Sequence, residues 1–372
     1  MIAAEIIEGA RGLDPAALTA LLSDPDPATT AAIAAEADRV MRQEVGDTVR
    51  PRGLVEFSNY CRLDCYYCGI RRSNTDLERY RLSREEVVDA ARSCAEAGFG
   101  SLTLQSGERC DEEFIRFVCD LVREVKEATR GPDLPNGLGI TLSVGEQSLR
   151  TYERFRAEGA HRYLLRIESS SPALFAQIHP AAQRFDERVA ALRRVRSAGF
   201  QVGTGVMIGL PGQTAADLAE DIRFFAAEDI DMIGMGPYLP EPSTPMGRGR
   251  VVDAEERERL LHLSLRMIAL TRIALRDVNI AATTALQTLH PDGRARALAG
   301  GANVVMPILT PPAVRARYAL YDGKAGVDSV DTAEITASGR PVGFDSWGDA
   351  PHARRRLQQT PASSAGPGAA NE

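Results

Sequence analysis

Histidine and tryptophan are scarce in this sequence, and positive charge is not in excess. The 372 residues include five His and one Trp, and 44 Lys and Arg stand against 51 Asp and Glu, a formal net charge of −7. This acidic balance gives no electrostatic reason to expect nucleic acid or an anionic membrane surface as a partner. No apolar run reaches the roughly 18 residues that would span a membrane. The first residues lack a basic segment followed by an apolar one, so we expect a cytoplasmic protein without a targeting signal.

Strand and helix patterns alternate over most of the chain. Hydrophobic residues make up 44% and charged residues 26%, which is typical of a soluble globular enzyme. Residues 1–48 have helical patterns, residues 49–324 alternate between the two patterns, and residues 325–357 lose this periodicity and form an extension. Residues 358–372 are low in apolar content, and we expect them to be disordered.

Eight strand-like segments separated by helix-like ones predict an α/β fold, specifically a (β/α)8 barrel with a helical extension before it and an irregular tail after it. In such barrels the functional groups collect where the strands end. The predicted strands are Gly53–Phe57, Ser101–Gln105, Gly139–Ser143, Tyr163–Ile167, Val202–Ile208, Met232–Met235, Ile280–Thr283 and Val304–Met306.

The strongest chemical signal is a run of three cysteines, Cys61, Cys65 and Cys68, directly after the first predicted strand. All six cysteines lie before residue 120, and this clustering indicates a metal site in a reducing compartment rather than a disulfide scaffold. Three thiolates at this spacing can hold an iron–sulfur cluster. In a four-iron cluster they leave one iron open for another ligand. Structural zinc would need a fourth ligand, usually from a second cysteine pair, which is absent here. A non-catalytic iron–sulfur or zinc protein remains the alternative.

The cysteine run, with Tyr67 directly before Cys68, resembles the signature of the radical S-adenosylmethionine (SAM) enzymes. The resemblance implies one 4Fe-4S cluster held by Cys61, Cys65 and Cys68, with SAM chelating the open iron. It also implies that one electron from the reduced cluster cleaves SAM to a 5′-deoxyadenosyl radical.

Longer segments resemble the FeFe-hydrogenase maturase HydE family over about residues 50–324. This resemblance implies a role in assembly of the hydrogenase di-iron subcluster. It implies a small organometallic or other small-molecule substrate, a ferredoxin- or flavodoxin-type electron donor, and other hydrogenase maturases as partners. The alternative within the superfamily is an enzyme acting on a small carbon substrate, related to methylornithine synthase or biotin synthase. The matching segments include Glu56–Cys61, Tyr67–Asn74, Glu78–Ser83, Leu104–Glu108, Leu142–Glu146, His161–Arg166, Gly209–Thr214, Met235–Tyr238, Ala282–Ala285, Gly301–Pro307 and Tyr318–Lys324.

The same resemblance implies the residues of the site. For catalysis the resemblance implies Glu108, Arg166, Glu168, Thr283 and Thr284. For SAM binding it implies Tyr67, Gln105, Ser106, Gly107, Glu108, Ser143, Glu146, Arg166, Glu168, Met207, Gly209, Leu210 and Pro211. The alternative for Arg166 and Glu168 is an internal salt bridge at the barrel rim, and the alternative for Thr283 and Thr284 is that they are ordinary β-branched strand residues.

Two features depart from the HydE pattern. Many members have histidine after the arginine at the fourth strand end, where this chain has Ile167. Many members also carry a C-terminal cysteine group for a second cluster, but Val327–Thr336 contains no cysteine here. We therefore expect a single cluster, and Ile167 indicates a substrate that differs from that of a standard member.

Overall fold

The protein folds as a parallel β-barrel surrounded by helices. The computed structural model describes residues 4–324, 340–343 and 347–359. The strands are β1 Arg50–Pro51, β2 Gly53–Ser58, β3 Ser101–Ser106, β4 Gly139–Ser143, β5 Ala160–Leu164, β6 Gln201–Thr204, β7 Met207–Ile208, β8 Met232–Pro237, β9 Asn279–Ala282 and β10 Val304–Val305. The helices are α1 Ala4–Arg11, α2 Pro15–Ser23, α3 Pro27–Glu44, α4 Arg84–Glu96, α5 Glu112–Ala128, α6 Leu149–Ala157, α7 Pro172–Ile178, α8 Phe185–Ser197, α9 Ala215–Ala227, α10 Ala254–Ala274, α11 Thr284–Leu289, α12 Gly293–Ala299, α13 Pro312–Arg315 and α14 Pro351–Gln359.

The sheet closes on itself through its first strand. Its order is β1-β10-β9-β8-β6-β5-β4-β3-β2, with β7 beside β8, and every pairing is parallel. β1 and β2 follow one another along the chain, separated by Arg52, and pair with opposite ends of the sheet. A parallel bridge from Leu54 to Ile308 completes the ring. The predicted (β/α)8 barrel is confirmed.

Local sequence signals set the helix ends around the barrel. Ser83 and Glu86 form a reciprocal capping box at the start of α4, as the spacing predicts. Gly98, Gly159 and Gly199 follow α4, α6 and α8 with φ values of +80°, +109° and +84°. These left-handed residues end each helix and direct the chain into the next strand.

Two strand predictions are wrong at their ends. The fourth barrel strand is β5, Ala160–Leu164, so Arg166 lies in the connection beyond it rather than on the strand. The seventh barrel strand is β9 and ends at Ala282. Thr283 is the N-cap of α11 and Thr284 its first residue, so neither is a β-branched strand residue. In both places the hydrogen-bonded strand pairing ends one to three residues before the run of strand-favouring residues ends. Such errors at element boundaries are common in predictions from sequence.

The last described segment covers the end of the barrel where the strands begin. The indole of Trp347 packs against Gly139, where an added Cβ would lie 2.6 Å from the ring. The buried guanidinium of Arg162 binds Asp349 at 3.1 Å and the carbonyl of Trp347. Arg52, equally buried, donates to the carbonyl of Gly348 at 2.9 Å. Residues 347–349 therefore supply the acceptors for two arginines in the barrel interior.

The helix α14 continues this cover and extends to Gln359, so residues 358 and 359 are helical where the sequence predicts disorder. His352 binds Asp229 at 2.7 Å, and Arg356 binds the same carboxylate at 3.2 Å. Arg355 pairs with Asp277. The predicted disorder of 360–372 and most of the predicted extension, 325–339 and 344–346, lie outside the described residues.

The helices before the barrel pack on its outer layer. α3 lies along α10 and α2 lies along α9, with buried residues such as Ile33, Val40 and Leu21 at these contacts. Pro15 and Pro27 open α2 and α3 behind the N-cap residues Asp14 and Asp26, a favourable arrangement for helix initiation. Across the described part of the chain, no helix has the length and apolar character needed to cross a membrane.

Candidate active site

The three cysteines lie in an irregular loop directly after β2, at the end of the barrel where the strands finish. Their side chains are partly exposed and unpaired in disulfides. The sulfur of Cys61 accepts backbone N–H groups from Leu63 at 3.5 Å and from Glu108 at 3.4 Å. The thiol of Cys65 donates to Gln183 at 3.4 Å. The loop thus presents its sulfurs beside the ends of β2 and β3.

The guanidinium of Arg79 connects the two ends of this loop through hydrogen bonds to backbone carbonyls. One of its terminal nitrogens donates to the carbonyls of Asn59 at 2.6 Å and Ile70 at 2.8 Å. The other donates to the carbonyls of Arg71 at 2.6 Å and Asn74 at 3.1 Å. Because these carbonyls come from both ends of the loop, one guanidinium fixes the span that carries all three cysteines.

The electrostatics of the thiols fit a positively charged iron cluster. Burial raises the pKa of Cys65 to about 12 and also raises that of Cys61 and Cys68. The charges of neighbouring thiolates raise the pKa of Cys65 and Cys68 further, and the charge of Glu108 does so for Cys61. Three such thiolates form together only beside a cation that compensates their charge. No three His, Cys, Asp or Glu side chains among the described residues lie close enough to hold a single metal ion. Three cysteines on one loop can each bind a separate iron of one cluster.

Glu108 lies next to the cysteine loop, in the turn after β3. Its side chain is 5% exposed, accepts the N–H of Glu146 at 2.7 Å and pairs with Arg62 at 2.6 Å. Burial raises the pKa of Glu108, despite these two contacts. Gly145, with φ of +80°, makes room for the carboxylate, since an added Cβ would lie 2.3 Å from the Glu108 side chain. The predicted residues Glu108 and Glu146 are thus neighbours.

Gly107 explains why the turn before Glu108 contains glycine. An added Cβ there would lie 2.4 Å from the carbonyl oxygen of Tyr60 and 2.7 Å from the Cβ of Cys61. The turn and the cysteine loop therefore pack backbone to backbone. Ser106 precedes it as the last residue of β3, and its hydroxyl donates to the Gly107 carbonyl at 2.8 Å.

Arg166 and Glu168 form a salt bridge, the alternative role that the sequence left open. The Arg166 Nε lies 2.9 and 3.0 Å from the two Glu168 carboxylate oxygens. Its terminal nitrogens donate to the carbonyls of Gly234 at 2.6 Å and Val206 at 2.9 Å. The Arg166 side chain is 30% exposed, although all three of its guanidinium nitrogens donate to groups of the protein. The neighbouring Ile167 is fully buried in the hydrophobic core.

Several predicted SAM-binding residues meet in a small apolar cluster apart from the main core. Met207 and Leu210 pack there with Ile178 and Tyr238, and Tyr67 lies against them. Beyond β7 the N–H groups of Gly209 and Leu210 both donate to the side chain of Gln213 at 2.7 and 3.2 Å. The cluster is suited to hold a flat apolar group beside the cysteine loop. Pro211, by contrast, is exposed on the surface.

The remaining predicted residues lie at strand ends. Gln105 and Ser143 are in register on β3 and β4, and Gln105 donates to the hydroxyl of Tyr318 at 3.2 Å. Thr283 donates to the carbonyl of Met235 at 3.0 Å. Met235 follows Gly234, whose carbonyl accepts from Arg166. Thr284 is half-buried at the start of α11. Arg166 and Thr283 thus anchor on neighbouring carbonyls of β8.

The comparisons with known proteins can now be set beside this geometry. The Radical SAM superfamily profile matches residues 55–225. The chain is 42% identical over 332 residues to the FeFe hydrogenase maturase subunit HydE of Thermotoga maritima, covering 87% of this chain and 89% of that protein. The chain belongs to the HydE family of radical SAM enzymes. It is also 29% identical to the 3-methylornithine synthase of Methanosarcina acetivorans, over 86% of this chain and 85% of that one. The solved structure of methylornithine synthase matches with a TM-score of 0.75 at 26% identity, covering 91% of this chain and 96% of that chain.

As a member of the HydE family the protein is a radical SAM enzyme that uses a 4Fe-4S cluster and SAM. The donor set fits: Cys61, Cys65 and Cys68 would hold the cluster, since their buried thiols need a compensating cation. When bound, the cluster supplies the single electron that cleaves SAM reductively. The chain's own contribution is to hold the loop through Arg79 and to keep Glu108 and the apolar cluster around Tyr67 beside it.

Two contributors at this end of the barrel were missed by the sequence analysis. Arg188 on α8 is 6% exposed, pairs with Glu146 and donates to the Arg166 carbonyl. It lies on a buried helix face with Leu192 and Val195. The sequence signal that could have identified it is an arginine at a position where the 3.6-residue helical pattern is otherwise apolar. Glu56 is fully buried within β2 and pairs with Lys324. The sequence signal that could have identified Glu56 is a carboxylate within an otherwise apolar strand, since a buried charge needs a partner.

Proposed function

We propose that this enzyme is a HydE-type maturase that acts in assembly of the di-iron subcluster of FeFe hydrogenase. The observation that supports this proposal is the 42% identity with HydE over 87% of the chain. The substrate in this proposal is a small organometallic compound bound at the open end of the barrel. Its partners are a one-electron donor and the other hydrogenase maturases. Six free cysteines suit work in a reducing cytoplasm.

The site residues take specific roles in this proposal. Glu108 and the apolar cluster bind SAM, with Glu146 and Ser143 beside them. Arg166, positioned by Glu168, binds an anionic substrate, and the hydroxyls of Thr283 and Thr284 contribute hydrogen bonds. The Arg166 side chain, which stays 30% exposed beside Glu168, supports an anionic ligand.

Two measurements test the proposal together. Anaerobically reconstituted enzyme, reduced with dithionite and given SAM, should release 5′-deoxyadenosine. Expressed in a hydrogenase-producing strain that lacks its own HydE, the chain should restore hydrogenase activity, and its Cys65→Ala variant should not. A filled cluster without SAM cleavage contradicts the enzyme assignment. SAM cleavage without restored hydrogenase contradicts the maturase role.

A small carbon substrate is the second candidate. Ile167 is buried in the core at the position where many HydE members carry histidine, and the methylornithine synthase structure resembles this one over 91% of the chain. An amino-acid substrate would also use Arg166 to bind its carboxylate. Incubating the reduced enzyme with candidate amino acids and searching for a rearranged product by mass spectrometry distinguishes the two.

A further inference from the structure

Gln183 contacts one cysteine of the loop through one end of its side-chain amide. The thiol of Cys65 donates to the Oε1 of Gln183 at 3.4 Å. The other end of the amide, Nε2, is buried and has no hydrogen-bond partner among the described residues. A buried donor without an acceptor is unfavourable, so the amide is only half satisfied while Cys65 is a thiol.

The turn that carries Gln183 is attached to the cysteine loop at two further points. It lies between α7 and α8, directly after the end of α7. The N–H of Tyr66, the residue after the contacted cysteine, donates to the carbonyl of Ile178 at 3.0 Å. The ring of Tyr67 lies edge-on to that of His179, with 5.5 Å between the ring centres. Backbone and ring contacts therefore hold the amide beside the sulfur, in addition to its own hydrogen bond.

Binding of iron changes what Cys65 offers to this amide. A cysteine that holds iron is a thiolate, so it has no hydrogen to donate and its sulfur can only accept. The carbonyl oxygen of Gln183 would then face a negatively charged sulfur, which is repulsive, whereas Nε2 carries two hydrogens that need an acceptor. Rotation of the amide by half a turn about its last side-chain bond exchanges the two ends without movement of the backbone. It removes the repulsion and gives the buried donor an acceptor.

We propose that the Nε2 of Gln183 donates a hydrogen bond to the sulfur of Cys65 in the loaded enzyme and thereby raises the reduction potential of the cluster. The inference rests on the proposed function in one respect, that Cys65 holds the cluster. Gln183 is a positioning residue, because it acts through a ligand and touches no substrate. Reduction adds one electron and moves no proton, and a donor at a ligand sulfur stabilises the added negative charge. The sulfur of Cys61 has donors of the same kind in the backbone N–H groups of Leu63 and Glu108.

A redox titration followed by EPR tests the proposal on the reconstituted enzyme without SAM, at about pH 8.5, where a glutamate side chain is ionised. Gln183→Met keeps the length of the side chain and removes the donor, and Gln183→Glu replaces the donor by an oxygen. The equilibrium constant for one-electron reduction should fall roughly tenfold in Gln183→Met, as expected for one hydrogen bond to a charged group, which corresponds to about 59 mV. It should fall further in Gln183→Glu, which adds a negative charge. Gln177→Met and Gln177→Glu are the matched controls, because Gln177 is exposed on α7, and they should keep the wild-type potential.

Pulsed EPR of the reduced cluster gives a second readout. Wild type should show a hyperfine coupling to an exchangeable hydrogen that Gln183→Met lacks. Iron and acid-labile sulfide are measured on every variant, and Gln183→Glu, which is nearly isosteric with wild type, keeps the test available if Gln183→Met retains less iron. Equal potentials in wild type and the Gln183 variants would overturn the proposal. An unchanged potential with weaker SAM binding would also overturn it, and would make SAM the acceptor of Nε2. A full four-iron cluster in Cys65→Ala would instead contradict the proposed role of Cys65.

Discussion

Both carboxylate oxygens of Glu168 accept hydrogen bonds from the Nε of Arg166, at 2.9 and 3.0 Å. Glu168 makes this contact from a left-handed backbone conformation, with φ of +65°, which costs a non-glycine residue of the order of 1 kcal/mol or more. The ion pair offsets that strain, and it directs the rest of the guanidinium toward the carbonyls of β8. Glu168 is therefore a positioning residue for Arg166.

Replacing Glu168 by Gln should lower the free energy of unfolding by about 2–3 kcal/mol, because a largely buried guanidinium loses its counter-charge. Urea denaturation of the apoprotein measures the change. Glu228→Gln is the control, since its Arg193 partner is 68% exposed, and the expected loss there is below about 1 kcal/mol. Equal losses in the two variants would show that Glu168 does not hold Arg166.

Replacing any one of Cys61, Cys65 and Cys68 by Ala should abolish retention of a four-iron cluster, because two thiolates cannot hold it. Iron and acid-labile sulfide are measured after anaerobic reconstitution. The control is Cys119→Ala, since Cys119 is buried in α5 and should keep the full iron content. Loss of iron in this control, or a full cluster in a loop variant, would contradict the assignment.

Gly145→Ala should weaken SAM binding at least roughly tenfold, because the new methyl group would displace the Glu108 carboxylate, whose Oε2 lies 2.4 Å from its position. Equilibrium binding of SAM to the reconstituted enzyme measures this. Gly249→Ala separates the clash from the backbone strain, since its φ is +72° and nothing lies within 4 Å of the added Cβ. Both variants should lose about 1 kcal/mol of stability, but only Gly145→Ala should lose SAM affinity.

The attachment of α14 should weaken as the pH rises. Hydrogen bonding to Asp277, together with Asp229, raises the pKa of His352 above its ordinary 6.5. Because the pKa is higher in the folded state, protonation of His352 stabilises the folded state. This stabilisation is fully present below pH 6.5 and is lost as the pH rises through the raised pKa. The chain's single tryptophan, Trp347, reports release of the segment by fluorescence, so its urea midpoint should be higher at about pH 6 than at about pH 8.5.

His352→Gln should remove most of this difference between the two pH values. His262→Gln is the matched control, because His262 pairs with Glu258 on the outer side of α10, far along the chain from the C-terminal cover. It should keep the wild-type difference. A wild-type midpoint that is independent of pH would show that the His352 contacts do not hold α14.

The sequence predicted the barrel because strand and helix patterns alternate over residues 49–324, and the resemblance of the cysteine run to the radical SAM signature identified the cofactor. It could not predict how charges pair across distant segments. Arg166 and Glu168 were recognised as unusual, but their mutual salt bridge depends on the turn after β5. Arg188 and Glu56 were missed because their partners are 42 and 268 residues away. Such contacts depend on the closed barrel rather than on local patterns.

Two arginines in the barrel interior bind acceptors that are synthesised long after them. Arg162 and its acceptor Trp347 are 185 residues apart, and Arg52 and Gly348 are 296 apart. While the ribosome is still making the chain, both guanidiniums must therefore remain hydrated, and the early strands cannot bury them. A message truncated before codon 347 would yield a barrel with two buried arginines lacking these acceptors, a costly state. Both guanidiniums gain these acceptors only when residues 347 and 348 join the barrel, so this contact between distant parts of the chain helps to complete its folding.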